Sequence, residues 1–195
     1  MKTEKIERKT TILKVAQELF SKFGLEKTTM DEIAKMARMG KASIYYYFKS
    51  KEAIFKEVVV REGNVIQNKI RIAVNNEKTP QDKVAAYFIT RVLSVKELTN
   101  YYSALGDQYL DHYSFIEKAR EAHDVFEKTT IANILQEGVS EGIFDIKDIH
   151  LIAEIIVVAL KGLELSWTIE KTEVEIKNDI NMLLKVLFEG IETKG

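Results

Sequence analysis

The sequence contains no cysteine and only one proline among its 195 residues. Without cysteine the chain has no disulfide, no thiolate metal site and no thiol nucleophile, a composition common in reducing compartments. We therefore expect a cytoplasmic protein. The first residues lack the apolar segment of a signal peptide. The most apolar stretch, residues 151–160, is interrupted by Glu154 and followed by Lys161, so no membrane association is expected.

Several sequence features of enzymes are also missing. The glycine motifs of phosphate-binding and dinucleotide-binding loops, G-x-x-x-x-G-K and G-x-G-x-x-G, do not occur. None of the three histidines stands three residues after a glutamate, which excludes the ligand pattern of di-iron helical bundles. The sequence therefore predicts neither an enzyme nor a cofactor, and no bound metal.

Charge is unevenly distributed along the chain although the total is only −1. Residues 1–60 contain 13 Lys and Arg against 8 Asp and Glu, a net charge of +5, so the remaining residues carry a net charge of −6. A basic N-terminal third favours an anionic partner bound at that end, and nucleic acid is the commonest such partner.

Apolar residues recur at intervals of three and four almost throughout the chain, which predicts an all-α fold of about nine helices. Helix 1 is predicted from Glu4 to Phe23, with Gly24 in the left-handed turn that follows it. Thr29 and Glu32 have the spacing of a capping box, which places the start of the short helix 2 there.

The later helix boundaries follow from similar local signals. Ser50 is predicted to cap a long helix 4 that ends at residues 75–76, and Thr79 with Pro80 begins the next helix. Breaks are expected near residues 99–100, 111–114 and 142–145, followed by two apolar helices over about 148–168 and 173–192.

The short elements between Thr29 and Lys51 have the dimensions of a helix-turn-helix. The second helix begins with the small residues Ala42 and Ser43, which permit a close approach to base edges. Three consecutive tyrosines follow, and they span about 200° around a helix, so at least one hydroxyl faces outward. An outward tyrosine beside lysine suits the binding of phosphate.

These segments, Thr28 to Ala34 and the run KASIYYYFKSKEAIF from Lys41 to Phe55, resemble the DNA-binding domain of TetR-family transcriptional regulators, and the resemblance covers about residues 6–55. It implies a helix-turn-helix head over residues 1–50 and a helical body over 51–195 that holds an effector pocket and a dimer interface. The implied partners are an operator in double-stranded DNA, a second copy of the chain and an unknown small-molecule effector.

The resemblance also implies roles for individual residues of the head. Thr29 matches a phosphate contact at the start of helix 2. Two departures from the family pattern concern the turn, because Arg38 stands where glycine is common and Gly40 where a serine or threonine often caps the second helix. Arg38 avoids a positive φ only if the turn is built differently, and it is also a candidate phosphate contact. The residues expected at base edges are Lys41, Ala42, Ser43 and Tyr45, and those expected at the DNA backbone are Tyr46, Tyr47 and Lys51.

The effector pocket is expected in the middle of the chain, where residues 87–126 contain 8 of the 18 aromatic residues. Tyrosine-rich walls combine apolar area with hydroxyl groups, which suits a mainly apolar ligand with one or two polar groups. Some of these aromatic residues are equally explained by ordinary packing. The candidate lining residues are Tyr87, Tyr102, Tyr109, His112 and Phe126.

The dimer interface is expected on the two C-terminal helices, because apolar residues nearly encircle the first of them. The candidates are Leu151, Ile152, Ile155, Ile156, Ala159 and Leu163 on one helix and Ile180, Leu184 and Leu187 on the other. The alternative is that both helices fill the core of a monomer.

The sequence predicts a ligand-responsive transcriptional regulator that binds a palindromic operator as a dimer, most simply a repressor. An alternative from another class is a helical small-molecule-binding or scaffold protein that does not use its head.

Overall fold

The computed structural model describes residues 2–98 and 114–191, to which all structural statements refer. Eight helices occupy most of these residues. Their bounds are α1 Lys2–Lys27, α2 Met30–Met36, α3 Lys41–Tyr47, α4 Lys51–Asn76, α5 Pro80–Glu97, α6 Ser114–Ser140, α7 Ile149–Glu170 and α8 Glu173–Ile191. The predicted all-α fold is confirmed, and the helix count is close to the nine predicted. None of the helices searched is long and apolar enough to cross a lipid bilayer.

The predicted helix boundaries are confirmed where they rest on capping residues. Gly24 has φ 79° and breaks the helical geometry near the end of α1. The amide of Ala53 donates to Ser50 Oγ over 3.3 Å at the start of α4. The amide of Asp82 donates to Thr79 Oγ1 over 3.1 Å at the start of α5. Each of these helix ends is determined by residues within four positions of one another.

The described residues divide into two compact units. Residues 2–64, 98 and 114–119 belong to the first unit, and residues 65–97 and 120–191 belong to the second. α4 contributes residues to both. The division therefore falls within α4, whereas the domain boundary expected from the sequence lies after residue 50, just before this helix.

The first unit has its own apolar core, in which α1 contacts α2 and α2 contacts α3. The rings of Phe20 on α1 and Phe55 on α4 meet edge to face with centroids 5.2 Å apart, a favoured geometry for aromatic pairs. The other fully or almost fully buried apolar residues of this core include Ile12, Ala16, Leu25, Ile33, Ile44, Phe48, Ile54, Val58 and Val59.

The second unit is built around α5, which contacts both α7 and α8. In the connection between α6 and α7, the Phe144 ring stacks on Phe188 with centroids 5.9 Å apart. A Cβ atom at Gly138 would overlap the Phe144 ring, so only glycine fits there without a shift of the ring. The other buried apolar residues include Val84, Tyr87, Phe88, Val92, Ile131, Leu135, Ala153, Ile156, Val157, Leu160, Ile176, Ile180 and Leu184.

Residues 138–142 read G-V-S-E-G, which fits the G-x-S-x-G pattern of a hydrolase nucleophile. That chemistry requires a sharp turn from a strand into a helix, with the serine hydroxyl exposed at the turn. Here Ser140 is the last residue of α6, and its hydroxyl donates to the carbonyl of Gln136 over 2.8 Å. The pattern is therefore part of a helix C-terminus and not a nucleophile elbow.

Candidate nucleic-acid interface

The start of α2 is held by a reciprocal capping box, as the sequence predicts. The Thr29 amide donates to Glu32 Oε2 over 2.8 Å, and the Glu32 amide donates to Thr29 Oγ1 over 3.3 Å. The Thr29 hydroxyl also donates to Glu32 Oε2, over 2.8 Å. These hydrogen bonds lower the pKa of Glu32 below its ordinary value. Both donors of Thr29 point at this carboxylate, so a phosphate contact by Thr29 requires an exchange of partners.

The turn between α2 and α3 is a Schellman motif with arginine at its left-handed position. The Arg38 amide donates to the Lys35 carbonyl over 3.1 Å and the Met39 amide to the Ala34 carbonyl over 3.0 Å. Arg38 has φ 54°. The turn thus has the backbone conformation usual for glycine at this position, although a residue with a Cβ atom destabilises this conformation by about 1 to 2 kcal/mol.

α3 is anchored by one face and exposed on the other. Ile44 within the helix and Phe48 at its C-cap are buried. Lys41, Ala42 and Tyr45 are exposed, while Ser43 is half-buried. Lys41 and Ala42, at the N-terminal end of this helix, are therefore accessible from solvent.

The three consecutive tyrosines differ in exposure, which confirms that they do not all enter the core. Tyr46 is 70% exposed and Tyr45 is 45% exposed, whereas Tyr47 is half-buried. The rings of Tyr46 and Tyr47 meet edge to face. The Lys5 ammonium lies 5.0 Å from the centre of the Tyr46 ring and donates a long hydrogen bond of 3.5 Å to its hydroxyl. Lys5 on α1 thus adds a cation beside α3 that sequence reasoning missed.

Lys41, which the sequence places at base edges, is paired with an acidic residue of α2. Its ammonium lies 2.8 Å from Asp31 Oδ1 and 2.9 Å from Asp31 Oδ2. The hydrogen bond and the charge of Asp31 raise the pKa of Lys41 above its ordinary value. Both side chains are exposed, so the pair can exchange with a competing anion.

Lys51, which the sequence suggests as a clamp on the DNA backbone, makes two hydrogen bonds to α1. Its ammonium donates to the carbonyls of Leu25 and Glu26, over 2.9 and 3.0 Å, near the C-terminal end of α1. Two of its three N–H donors are therefore engaged within the first unit, and the residue is half-buried. These hydrogen bonds join the end of α1 to the start of α4.

The comparison with known proteins agrees with this arrangement. Residues 12–58, which include α2 and α3, match the family model described as "Bacterial regulatory proteins, tetR family". The head of this chain is therefore similar to the DNA-binding domain of TetR-family regulators.

Similarity to TetR-family regulators extends beyond the head. The HTH-type transcriptional regulator QacR of Staphylococcus aureus is 28% identical, over 94% of this chain and 97% of QacR. The negative regulator IcaR of the biofilm operon icaADBC, from the same species, is 32% identical over 46% of this chain and 48% of IcaR. The crystal structure of a transcriptional regulator from Cytophaga hutchinsonii superposes with a TM-score of 0.77 at 28% identity, over 93% of this chain and 97% of that one. These relatives are transcriptional regulators, which confirms the prediction that the chain is not an enzyme.

In the body of the chain, two of the five predicted effector contacts can be located. Tyr87 is fully buried on α5. Phe126 on α6 is half-buried, and the Arg71 guanidinium lies 5.1 Å from the centre of its ring. The other three residues, Tyr102, Tyr109 and His112, lie outside the described residues.

The predicted interface residues of α7 and α8 divide by burial. Leu151, Ile155 and Ala159 are exposed, and Ile152 and Leu187 are half-buried. Ile156, Ile180 and Leu184 are buried within this single chain, so they are core residues and unavailable to a partner. The side chain of Leu163 is outside the described part. Val158, one of the apolar residues that encircle α7 in the sequence argument, is 59% exposed. Met182 and Val186 on α8, which the sequence reasoning did not select, are 72% and 67% exposed.

A buried charged cluster lies in the second unit, and the sequence reasoning missed it. Arg91 on α5 donates to both carboxylate oxygens of Glu127 on α6, and His123 Nε2 lies 3.2 Å from Glu127 Oε1. Burial raises the pKa of Glu127, but the Arg91 charge and the His123 hydrogen bond lower it by more than burial raises it. The resulting pKa is about 2. The i, i+4 spacing of His123 and Glu127 was a visible signal, whereas the pairing with Arg91 was not.

Proposed function

We propose that this chain represses transcription in the cytoplasm by binding, as a homodimer, to a two-fold symmetric operator in double-stranded DNA. The observation that supports this is the exposed face of α3. Lys41, Ala42, Tyr45 and Tyr46 are open to solvent while Ile44 and Phe48 fasten the helix to the core. A helix held in this way, with small residues at its N-terminal end, fits the major groove of DNA.

Separate roles follow for the residues of this face. Lys41 and Ala42, with Ser43 and Tyr45, read base edges, whereas Tyr46 and Tyr47 contact the backbone. Base contacts select a sequence and backbone contacts position the protein. We propose repression rather than activation, because the relative IcaR is a negative transcriptional regulator.

Dimerisation is proposed through the outer faces of α7 and α8. Leu151, Ile155, Val158 and Ala159 are exposed on α7 at spacings of four, three and one, which places them along one side of the helix. Met182 and Val186 are exposed one turn apart on α8. An apolar surface of this kind favours association with an identical copy, and two copies supply the symmetry of a palindromic operator.

Release from DNA is proposed to follow the binding of a small, mainly apolar effector in the body of the chain. Such a ligand shifts the equilibrium only if it binds the DNA-incompetent state more tightly than the competent one. The aromatic segment that contains Tyr87, Tyr102, Tyr109, His112 and Phe126 is our proposed location. α4 carries residues of both units, so we propose that it transmits the effect.

The proposal is tested by selecting duplexes from a random-sequence library with the full chain and measuring their affinity over a range of salt concentrations. We expect a two-fold symmetric sequence, specific binding well above that of unselected DNA, and a steep salt dependence. Lys41→Ala is expected to relax the preference at one base pair, whereas Lys147→Gln, which removes an exposed charge of the second unit, serves as the control. If no sequence is enriched and binding is insensitive to salt, the chain is instead a helical ligand-binding or scaffold protein.

A further inference from the structure

The same backbone turn ends two helices of this chain, once with glycine and once with arginine. At the end of α6, the Gly142 amide donates to the Val139 carbonyl over 3.1 Å and the Ile143 amide to the Gly138 carbonyl over 2.8 Å. Gly142 has φ 72°, close to the 54° of Arg38 at the end of α2. Glycine reaches this region freely, but a side chain makes it unfavourable. Arg38 is the only non-glycine residue with a positive φ within 2–98 and 114–191.

The guanidinium of Arg38 forms no interaction with the described residues that would explain an arginine at this position. Arg38 is exposed, and no acidic side chain of the described residues forms an ion pair or hydrogen bond with it. The Schellman hydrogen bonds use only its backbone. The neighbouring Lys41, by contrast, is neutralised by Asp31. Arg38 therefore presents an uncompensated, planar cation immediately before the helix that carries the exposed face.

We propose that Arg38 contacts a phosphate of the DNA backbone beside the groove that α3 enters; this inference rests on the proposed function. Arg38 lies two residues before Gly40, the N-cap of α3. In a helix-turn-helix, the N-terminal residues of the second helix contact base edges while the first helix crosses the phosphate backbone. Arg38 lies in the turn between these two helices, so its long side chain can reach that backbone. A guanidinium suits this position because it can bind two phosphate oxygens at once, whereas an ammonium acts as a single point charge.

Three substitutions separate the conformation of residue 38 from its charge. Arg38→Gly removes the charge and relieves the backbone, Arg38→Gln removes the charge and keeps the Cβ atom, and Arg38→Lys keeps both the charge and the Cβ atom. Each variant is titrated with a mixed-sequence DNA duplex and with a duplex selected by the wild-type chain, over a range of salt concentrations. Lys147→Gln controls for the loss of one positive charge. Thermal unfolding is recorded for every variant.

We expect Arg38→Gly and Arg38→Gln to weaken binding to both duplexes by a similar factor and to lower the salt slope by about one. Arg38→Lys keeps the wild-type slope. Arg38→Gly unfolds at a higher temperature than the wild type while binding DNA less tightly, a combination that a merely structural residue does not give. Should Arg38→Gly fold poorly, Arg38→Gln decides.

The inference is overturned if Arg38→Gln and Arg38→Gly retain the salt slope and affinity of the wild type while the wild type binds DNA normally. The proposed function then stands without this contact. A wild-type chain that binds neither duplex overturns the proposed function itself, so the two failures are distinguishable.

Discussion

The Lys41 ammonium sits between the two carboxylate oxygens of Asp31, 2.8 Å from Oδ1 and 2.9 Å from Oδ2. Lys41 is in the first turn of α3 and Asp31 in the first turn of α2. The residue expected to read a base is thus held by an anion of the neighbouring helix. DNA must displace the Asp31 carboxylate before it can bind the Lys41 ammonium. This cost weakens binding to non-specific DNA, in which Lys41 would contact only a phosphate.

Asp31→Asn is expected to strengthen binding to unselected DNA more than binding to the selected operator. The freed Lys41 becomes available to any phosphate, so the salt slope rises by about one and the ratio of specific to non-specific affinity falls. The measurement is a salt titration of both duplexes. Glu97→Gln, which breaks the exposed Lys69–Glu97 pair of the second unit, is the control. An unchanged ratio in Asp31→Asn contradicts the prediction.

Lys51→Ala is expected to reduce stability as well as DNA binding. It removes two charge-assisted hydrogen bonds to the Leu25 and Glu26 carbonyls, which corresponds to a loss of about 1 to 2 kcal/mol in the free energy of unfolding. Urea denaturation measures this loss. Lys49→Ala, an exposed neighbour, is the control and should leave the free energy of unfolding nearly unchanged. If Lys51→Ala leaves the stability unchanged but lowers the salt slope, Lys51 is mainly a phosphate clamp.

Ile155→Glu is expected to give folded monomers with little operator affinity. Ile155 is 53% exposed on α7, so a charge there opposes the apolar contact with a second copy and leaves the core intact. Light scattering gives the mass and circular dichroism the helical content. Val125→Glu, at another exposed apolar position, should remain dimeric.

The adjacent position provides a second comparison for the same experiment. Ile156 is only 4% exposed, so Ile156→Glu places a charge in the core of the chain and is expected to unfold it. A monomeric mass for the unsubstituted chain would refute the proposed interface.

Glu127→Gln is expected to destabilise the protein at neutral pH by about 3 kcal/mol, because the Arg91 charge then remains buried without its anion. The Glu127 pKa is about 2 in the folded chain, below the ordinary value of 4.5. A carboxylate whose pKa is lower in the folded chain than in the unfolded chain stabilises the fold at pH values above the unfolded pKa. This contribution disappears as the pH falls towards the folded pKa of about 2. The stability difference between wild type and variant should therefore shrink between about pH 4.5 and pH 2.

Urea denaturation across this pH range measures the difference. Glu121→Gln, which changes an exposed carboxylate on the same helix, should follow the wild type throughout. A double variant, Arg91→Met with Glu127→Met, leaves neither charge buried and should recover part of the lost stability. A constant difference from pH 7 to pH 2 would show that Glu127 does not titrate as an ion pair.

Sequence reasoning recovered the helix starts at Thr29, Ser50 and Thr79 because the interactions that determine them are local. Helix 1 was predicted to end at Phe23 but extends to Lys27 across the break at Gly24, and the predicted break near residues 99–100 lies outside the described residues. Thr29 and Glu32 are three residues apart, and so are Thr79 and Asp82. The exposure of at least one tyrosine in α3 was equally predictable, since 100° per residue does not allow three adjacent side chains to face one core.

The partners of the basic residues were not predictable in the same way. Lys51 and Leu25 are separated by 26 residues, and Arg91 and Glu127 by 36. Such pairs are brought together by the packing of helices, and the apolar pattern does not encode which charges meet. Burial on α7 shows the same limit, because Ile155 and Ile156 are adjacent and chemically identical yet face solvent and core, respectively.

A side chain at residue 138 would overlap the Phe144 ring, so the residue types allowed at these two positions depend on each other. The Phe144 ring fills the volume that Gly138 leaves open, so the effect of a substitution at one position on stability depends on the residue at the other. Alanine at 138 becomes acceptable only when residue 144 is smaller, and that change removes the stack on Phe188. Among natural variants of this chain, substitutions at these two positions should therefore arise together, with position 188 following them.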